Sequence, residues 1–525
     1  MKKPAANRFL LSGRISYRSL KLGLREMWKL RGHAEVVEES TFLDTFDWRL
    51  YSAGTVLEAI HEHDGWRLIW RNLNETTSRD SCALTGLPRF AAEIDNPAVR
   101  KRLAQVIGVR ALLPLVRLRG RRRSLQLLDV EDKNLLTLQL EKDADLVCLR
   151  QGGGEVAIPR PSPTRVKLLP MRGYTEAAES VRAALLALGS LRSVERDPWY
   201  DNLELCGIDP NGPRSSAERP APHTHSGAAI KQIQLRHFEK LKLQEEGIRQ
   251  DIDTEFLHDF RVAVRRTRAL LRQSRGVFHA RHLVRFKRAF AWLGRSSGVA
   301  RDLDVHLHAL EQARTTLPFA MQEAMAPIRE QLRKERDHEY QRLHKVLGSR
   351  RYRDLCHDWQ ALLLGPDEAH TKLAHARQPI IEFAGRRIWK AYRKARRQGL
   401  RLDGYRDSAR LHRLRKTVKK LRYLIESFHH LYPQRAMRPL IDRLRSLQEN
   451  LGLLQDCQVQ RRKFEEIQRN LPAQTGALTT THAVLRHLVA SLRSEDTELR
   501  RHFAAAFNEF STTETRAHFR ALAHH

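Results

Sequence analysis

His258-Asp-Phe-Arg-Val-Ala-Val-Arg-Arg-Thr-Arg268 is followed, 154 positions later, by His412-Arg-Leu-Arg-Lys-Thr-Val-Lys-Lys-Leu-Arg422. In these runs His258, Arg261, Arg265, Arg266 and Arg268 are matched by His412, Arg415, Lys419, Lys420 and Arg422. The register extends further, because Asp302 and Val305 recur as Asp456 and Val459 and Arg236 recurs as Lys390. A chain that duplicates cations in register points to one anion site built from two halves.

Both runs carry helical periodicity. Phe260, Val264, Thr267 and Leu271 fall on one stripe, and His258, Arg261, Arg265, Arg268 and Arg272 fall on another. In the second run Leu411, Leu414, Val418, Leu421 and Ile425 oppose His412, Arg415, Lys419 and Arg422. At about 1.5 Å per residue, the row from His258 to Arg272 spans about 21 Å, more than a single phosphate needs. Acidic partners are nearly absent from 261–275 and 413–423, so neighbouring cations repel and call for counterions or a bound polyanion. Arginine forks and compact lysine charges together suit a flexible phosphate chain. Lys231, Lys287, Arg288, Arg386, Arg387, Lys390, Arg393, Lys394, Arg396 and Arg397 add cations on helices expected to pack nearby.

The formal charge of the 525 residues is +33. Residues 1–220 hold 35 Lys or Arg against 28 Asp or Glu, and residues 221–525 hold 59 against 33. A polyanionic partner is therefore expected mainly for the C-terminal part. A hydrophobic content of 41% excludes a disordered polycation. Cys82, Cys148, Cys206, Cys356 and Cys457 show no paired spacing, which fits neither a disulfide framework nor a zinc module and suggests a reducing cytoplasm. No apolar run reaches the roughly 20 residues of a membrane span, and Lys2, Lys3 and Pro4 do not open a secretory signal.

The stretch Gly207–Gly227 is rich in turn formers and reads as an interdomain linker, giving domains at 10–205 and 226–520 joined through 206–225. Before it, short apolar runs at 65–70, 112–118, 124–130 and 135–140 approach period two, predicting an α+β domain of antiparallel strands. After it, spacings of three and four predict an all-α domain of two pseudo-repeated helical bundles.

Nucleotide-binding loops, paired-cysteine zinc sites and nucleophile elbows are absent from the sequence, and aromatics do not interleave the basic helices as a stacking platform requires. His258 and His412 stand among arginines rather than at metal-ligand spacing, so no metal, cofactor or catalytic residue is assigned. Asp302 and Asp304 are read as partners for Arg or Lys of the basic helix rather than as an acid–base pair, since the second repeat has Gln458 in place of the other carboxylate.

The two His-Arg runs, with Leu293-Gly and Ala300-Arg-Asp-Leu-Asp-Val between them, resemble the CHAD family, the conserved-histidine α-helical domain, over about 226–520. That resemblance implies helical bundles around a basic groove or pore that binds inorganic polyphosphate, often at cytoplasmic polyphosphate granules. The residues it carries over are His258, Arg261, Arg265, Arg266, Arg268, His412, Arg415, Lys419, Lys420 and Arg422, to which the charge pattern adds Arg272, Lys287, Arg386, Lys390 and Arg393.

Phe42-Leu-Asp-Thr45, Leu50, Gly54, Leu57 and the segment Val166–Tyr174 make residues 10–205 similar to a CYTH domain, of the β-tunnel triphosphate class. The opening Glu-x-Glu-x-Lys of that family is missing from Arg14–Leu24, and Leu57-Glu-Ala-Ile60 stands where Leu-Arg-x-Arg belongs. The resemblance thus implies a degenerate domain without metal carboxylates or substrate clamp, hence without catalysis. Arg117, Arg119, Arg121, Arg122 and Arg123 either face a residual tunnel or form a solvated turn. Two other functions remain open: a triphosphate or polyphosphate hydrolase acting through the first domain, and a general nucleic-acid-binding basic protein, nucleic acid being in any case a non-specific competitor. Oligomeric state is not legible.

Overall fold

The computed structural model describes residues 8–11, 17–62, 65–73, 75, 78–149, 154–162, 164–171, 173–187, 191–194, 196–212, 218–314, 317–366, 373–402, 407–470 and 477–524. Lys2, Lys3, Pro4 and Arg14 lie outside them, as does Arg172 within the segment Val166–Tyr174. The chain divides into one unit of residues 1–213 with 250–255, and a second of 214–249 with 256–525.

The first unit is an antiparallel sheet with three of its helices packed on the outer side. Its strands are β1 (Arg8–Leu11), β2 (Lys29–Gly32), β3 (Val36–Asp44), β4 (Thr55–Glu62), β5 (Gly65–Asn72), β6 (Ser78–Leu84), β7 (Leu113–Leu128), β8 (Asn134–Leu149), β9 (Glu155–Ser162), β10 (Arg165–Pro170) and β11 (Leu191–Ser193). The order is β11-β1-β10-β8-β7-β3-β4-β5-β6, with β2 added on β7 and β9 on β8. The helices are α1 (Tyr17–Arg25), α2 (Arg49–Ser52), α3 (Pro97–Ile107), α4 (Thr175–Ala187) and α5 (Pro198–Leu205).

Period-two alternation sends apolar side chains outward. Leu125 and Leu127 of β7, Leu136, Leu138 and Leu140 of β8, and Val166 and Leu168 of β10 pack with Leu20 and Leu24 of α1 and Val181 and Leu185 of α4. Leu57, Ala59, Leu68 and Trp70 of β4 and β5 pack likewise with Val99, Leu103 and Ile107 of α3. The opposite face carries Glu38, Ser40, Glu58, Arg67, Arg71, Glu141, Arg165 and Lys167, which converge with Arg8 on one cavity of about 430 Å³. The sheet therefore wraps a tunnel lined by these charges together with Phe42, Ile60, Ile69, Leu118 and Leu169; two hydrophobic clusters lie on its outer face, and a third, of Phe42, Val56 and Val116 with Trp199 of α5, lies on the inner one.

The runs 112–118 and 124–130, expected as separate strands, belong to the single 16-residue β7. The arginines between them do not interrupt it, because carboxylates receive them: Arg117 meets Glu155 at 2.6 Å, Arg123 meets Glu35 at 2.7 Å, and Arg122 pairs with Glu38. The alternative of a solvated turn is thereby overturned, and Arg121 and Arg122 border the tunnel. Asp44, in the Phe-Leu-Asp-Thr signature, is fully buried and accepts the backbone N–H groups of Thr45, Leu50 and Tyr51 at 2.6, 2.9 and 2.9 Å. It holds the turn into α2. Cys148 of β8 and Cys206, at the end of α5, form a disulfide. This corrects the expectation of unpaired cysteines: 58 residues separate the two in sequence, and only the tertiary packing around Phe42, Val116 and Trp199 unites them. The argument from cysteine spacing to a reducing compartment falls with it.

The second unit is all helical: α6 (Ser226–Lys242), α7 (Glu245–Arg249), α8 (Thr254–Gln273, of which 256 onward belongs here), α9 (Ala280–Ser296), α10 (Gly298–Arg314), α11 (Phe319–Glu323), α12 (Ala326–Gly348), α13 (Arg350–Leu364), α14 (Ile380–Gly399), α15 (Ser408–Phe428), α16 (Gln434–Asn470), α17 (Ala477–Ser511) and α18 (Thr513–Ala521). The repeat is structural. Helices α14, α15 and α16 begin 154 residues after α6, α8 and α9. Where α9 and α10 are broken at Ser297, the second half runs on as the continuous α16. Among the described residues no helix is long and apolar enough to cross a membrane.

Candidate functional site

The apolar stripes of α8 and α15 are buried as their spacing requires, with Phe260, Val264, Leu271, Leu414, Val418 and Leu421 each at most 1% exposed. That fixes the rotation of both helices and turns their cationic stripes to the other side. Arg261 donates to the carbonyl of Gly294 at 3.0 Å and to Ser297 Oγ at 3.2 Å, at the end of α9. Gly294 matters here: a Cβ in its place would come within 2.7 Å of Arg268 Nη1. On the second repeat His412 Nδ1 lies 2.8 Å from Gln455 Oε1, Arg415 meets Asp456 at 3.5 Å, and Arg422 donates to Gln448 Oε1 at 2.8 Å, all on α16.

The two halves act on each other electrostatically. Burial lowers the pKa of Lys419 to about 8, reinforced by Arg415 and by Arg265 of the other repeat. Burial likewise lowers Arg261 to about 10, with Arg265 adding to the effect. Arg415 is depressed by burial and also feels Arg265. Asp302 and Asp456 are both raised by burial, and Asp302 also feels Asp456. The Nε atoms of Arg261, Arg265 and Arg415 are buried without a hydrogen-bond partner among the described residues. Such a set of crowded, partly desolvated cations is paid for by folding and is offset by an incoming anion.

Asp302 and Asp456 thus serve the basic helices as expected, but Asp304 does not. It pairs with Arg336 of α12 at 2.8 Å and accepts from Tyr340 at 2.9 Å, because a two-residue step on α10 turns it to another helix.

The remaining predicted cations separate into other places. Lys390, Arg393 and Lys420 line a cavity of about 960 Å³ with Arg387, Lys394, Arg397 and Lys416. Burial lowers Lys420, and Lys394, Lys390, Arg387 and Arg272 lower it further. Arg266 instead lines a smaller cavity of about 260 Å³ with Ile233, Arg236, His237 and Lys240. These two cavities are repeat-related: Ile233, Arg236, His237, Lys240 and Arg266 correspond at the same 154-residue offset to Arg387, Lys390, Ala391, Lys394 and Lys420. Arg386, bonded to Glu382 and Gln378, and Lys287 on α9 line neither cavity. Lys231 is 6% exposed and donates to the carbonyl of Pro366 at 2.5 Å, closing the chain after α13 rather than joining the basic surface.

The tunnel of the first unit holds charges that motif reading missed. Asp197 is fully buried, pairs with Arg8 at 3.0 Å and receives both terminal nitrogens of Arg71. Burial alone would raise it, but Arg71 and Arg8 hold it below the usual carboxylate range. Glu141 pairs with Lys167 at 2.5 Å, and Glu38 is raised to about 7 by burial despite Arg122. Cations and carboxylates are therefore present although the family's motif residues are missing: Arg8, Arg71 and Glu141 come from β1, β5 and β8, and Glu38 and Lys167 from the motif-bearing β3 and β10. They neutralise one another. Among the described residues no group of three or more His, Cys, Asp or Glu is placed to hold a metal ion.

Residues 232–465 match the family model of the CHAD domain. Among solved structures it is similar to the CHAD domain of the plant Ricinus communis, at 23% identity and a TM-score of 0.47, over 57% of this chain and 97% of that one. PptA from Streptomyces chartreusis is similar at 17% identity and a TM-score of 0.44, over 54% of this chain and all of the other. A Hippeastrum adenylyl cyclase-like protein with a dominant triphosphatase activity is similar at 13% identity and a TM-score of 0.27, over 38% of this chain and 95% of that one. No curated protein matches the chain.

Proposed function

We propose that the helical unit binds inorganic polyphosphate along the cationic faces of α8 and α15, and that this chain is a non-enzymatic binder that associates with polyphosphate granules. The observation that carries the reading is the reach of charge across the repeat: burial lowers Arg415 and Lys419 of one half, and Arg265 of the other half lowers both further. Cations of two halves share one electrostatic site, which a chain of phosphates spaced along both helices neutralises. His258, Arg261, Arg265, Arg268, His412, Arg415, Lys419 and Arg422 form its lining, and the wide cavity at Lys390, Arg393 and Lys420 extends the cationic surface.

Binding replaces counterions condensed on the polymer, so affinity falls with salt, as for nucleic acids. The direct test is titration of full-length protein with long-chain polyphosphate, in competition with RNA and DNA at matched phosphate concentration. Displacement by nucleic acid at parity overturns the selectivity. Phosphate release dependent on Mg²⁺ and lost on changes in the tunnel would assign hydrolysis to the first unit instead.

A further inference from the structure

The repeat does not make its two lateral cavities alike. In the small one His237 of α6 is 8% exposed, and its Nδ1 is buried without a hydrogen-bond partner among the described residues. The Nε2 of His430, in the short turn after α15, is in the same condition. Around them stand Arg219, Arg236, Lys240 and Arg266, with Glu426 as the carboxylate in the lining. The other repeat offers neither feature, since His237 is replaced by Ala391, which lines the wide cavity, and Glu426 corresponds to Arg272. At about 30 Å³ per water, a 260 Å³ space holds one tetrahedral anion with a few waters, not a folded polymer.

Burial keeps both imidazoles neutral, lowering His237 to about 3 and His430 to about 4, with Arg266 adding to the first and His429 to the second. A neutral ring retains one N–H to donate, which for His430 is already drawn to the backbone of Pro220. Glu426 supplies the opposite requirement. Its two oxygens take Arg266 and Arg422, yet a carboxylate has about four acceptor sites, leaving room for one more donor. An acceptor set among cations favours an anion that itself carries a proton, and it disfavours a fully deprotonated one of the same shape.

We propose that this cavity is a second, separate anion site that takes a single protonated phosphate group, either free orthophosphate or the terminal group of a phosphate chain. Arg236, Lys240 and Arg266 neutralise it, His237 donates to its oxygens, and Glu426 accepts from its hydroxyl. Sulfate, which has the shape and charge but no proton near neutral pH, is rejected.

The test uses full-length protein at pH 7, followed by calorimetry and by the ring-nitrogen NMR signals of His237, with orthophosphate, tripolyphosphate and sulfate as separate probes. Saturable binding of orthophosphate that shifts the His237 signals assigns the free ion. The same shift with tripolyphosphate only assigns the chain end. Lys240→Gln should weaken binding at least tenfold, and Glu426→Gln should bring sulfate affinity to within a few-fold of phosphate. The doubly reversed variant Arg265→Glu, Lys419→Glu should leave this site intact while weakening long-chain polyphosphate, which separates the proposal from the groove function. No shift with either phosphate probe, equal binding of sulfate by the unaltered protein, or loss of the site in the groove variant overturns it.

Discussion

Arg266, on the first basic helix, donates through Nε to Glu426, on the second, at 2.9 Å, and Arg422 shares the same carboxylate from one turn away. One carboxylate thus ties the two repeats together where their cations would otherwise only repel. Arg266 and Glu426 are each about a quarter exposed, so the pair is screened and its worth is modest. Glu426→Gln should cost about 1 kcal/mol in urea unfolding, and it should raise affinity for long-chain polyphosphate because one repelling charge is gone.

Changing Arg261, Arg265, Lys419 and Arg422 to Glu should weaken long-chain polyphosphate binding by well over tenfold, each tenfold being about 1.4 kcal/mol. The salt dependence should flatten in parallel, since fewer counterions are released. Undiminished affinity removes these helices from the site.

Lys419 titrates near 8 in the folded protein, against an ordinary value of 10.5. Its proton is held more weakly in the folded than in the unfolded chain, so its contribution to stability is least favourable below pH 8 and improves as pH rises toward 10.5. Polyphosphate has the opposite preference, because it binds the charged form. Affinity should therefore drop between pH 7 and 9, with proton uptake on binding near pH 8 measurable by calorimetry in buffers of different ionisation heat. Lys419→Arg should remove the drop.

Gly294→Ala should separate binding from folding. The new Cβ displaces the end of the Arg268 side chain, which can swing away, while alanine suits a helix interior better than glycine by about 1 kcal/mol. Thermal unfolding should be unchanged or later, and polyphosphate affinity should fall a few-fold.

Asp197→Ala strands the guanidinium groups of Arg8 and Arg71 in the tunnel, at less than about a tenth exposed. Removing one member of a buried ion pair costs about 3–5 kcal/mol. Chemical denaturation of the full chain should show an early transition for the β-sheet unit, with polyphosphate binding by the helical unit retained.

Much of this was legible in the chain itself. The 154-residue register gave both basic helices, their apolar faces and the pairing of Asp302 with Asp456, because a helix of known period converts spacing into direction. Leu125, Leu127, Leu136, Leu138 and Leu140 likewise revealed a half-buried antiparallel hairpin. Periodicity does not say which side of a sheet is enclosed, and here the enclosed side is the charged one.

The sequence by itself determined the repeat, the helical and β-sheet halves, and the faces on which cations stand, since these depend on neighbours within a few residues or on a fixed offset. Only the tertiary structure decided that Cys148 meets Cys206, that Asp304 serves Arg336 rather than the basic helix, and that Arg8, Arg71 and Asp197 close on one another inside the tunnel. It also decided that Lys420 and Arg266, equivalent in sequence, line cavities of different size and chemistry. Each of these depends on which distant elements are brought within a few ångströms, a relation set by the packing of whole faces and carried by no local spacing.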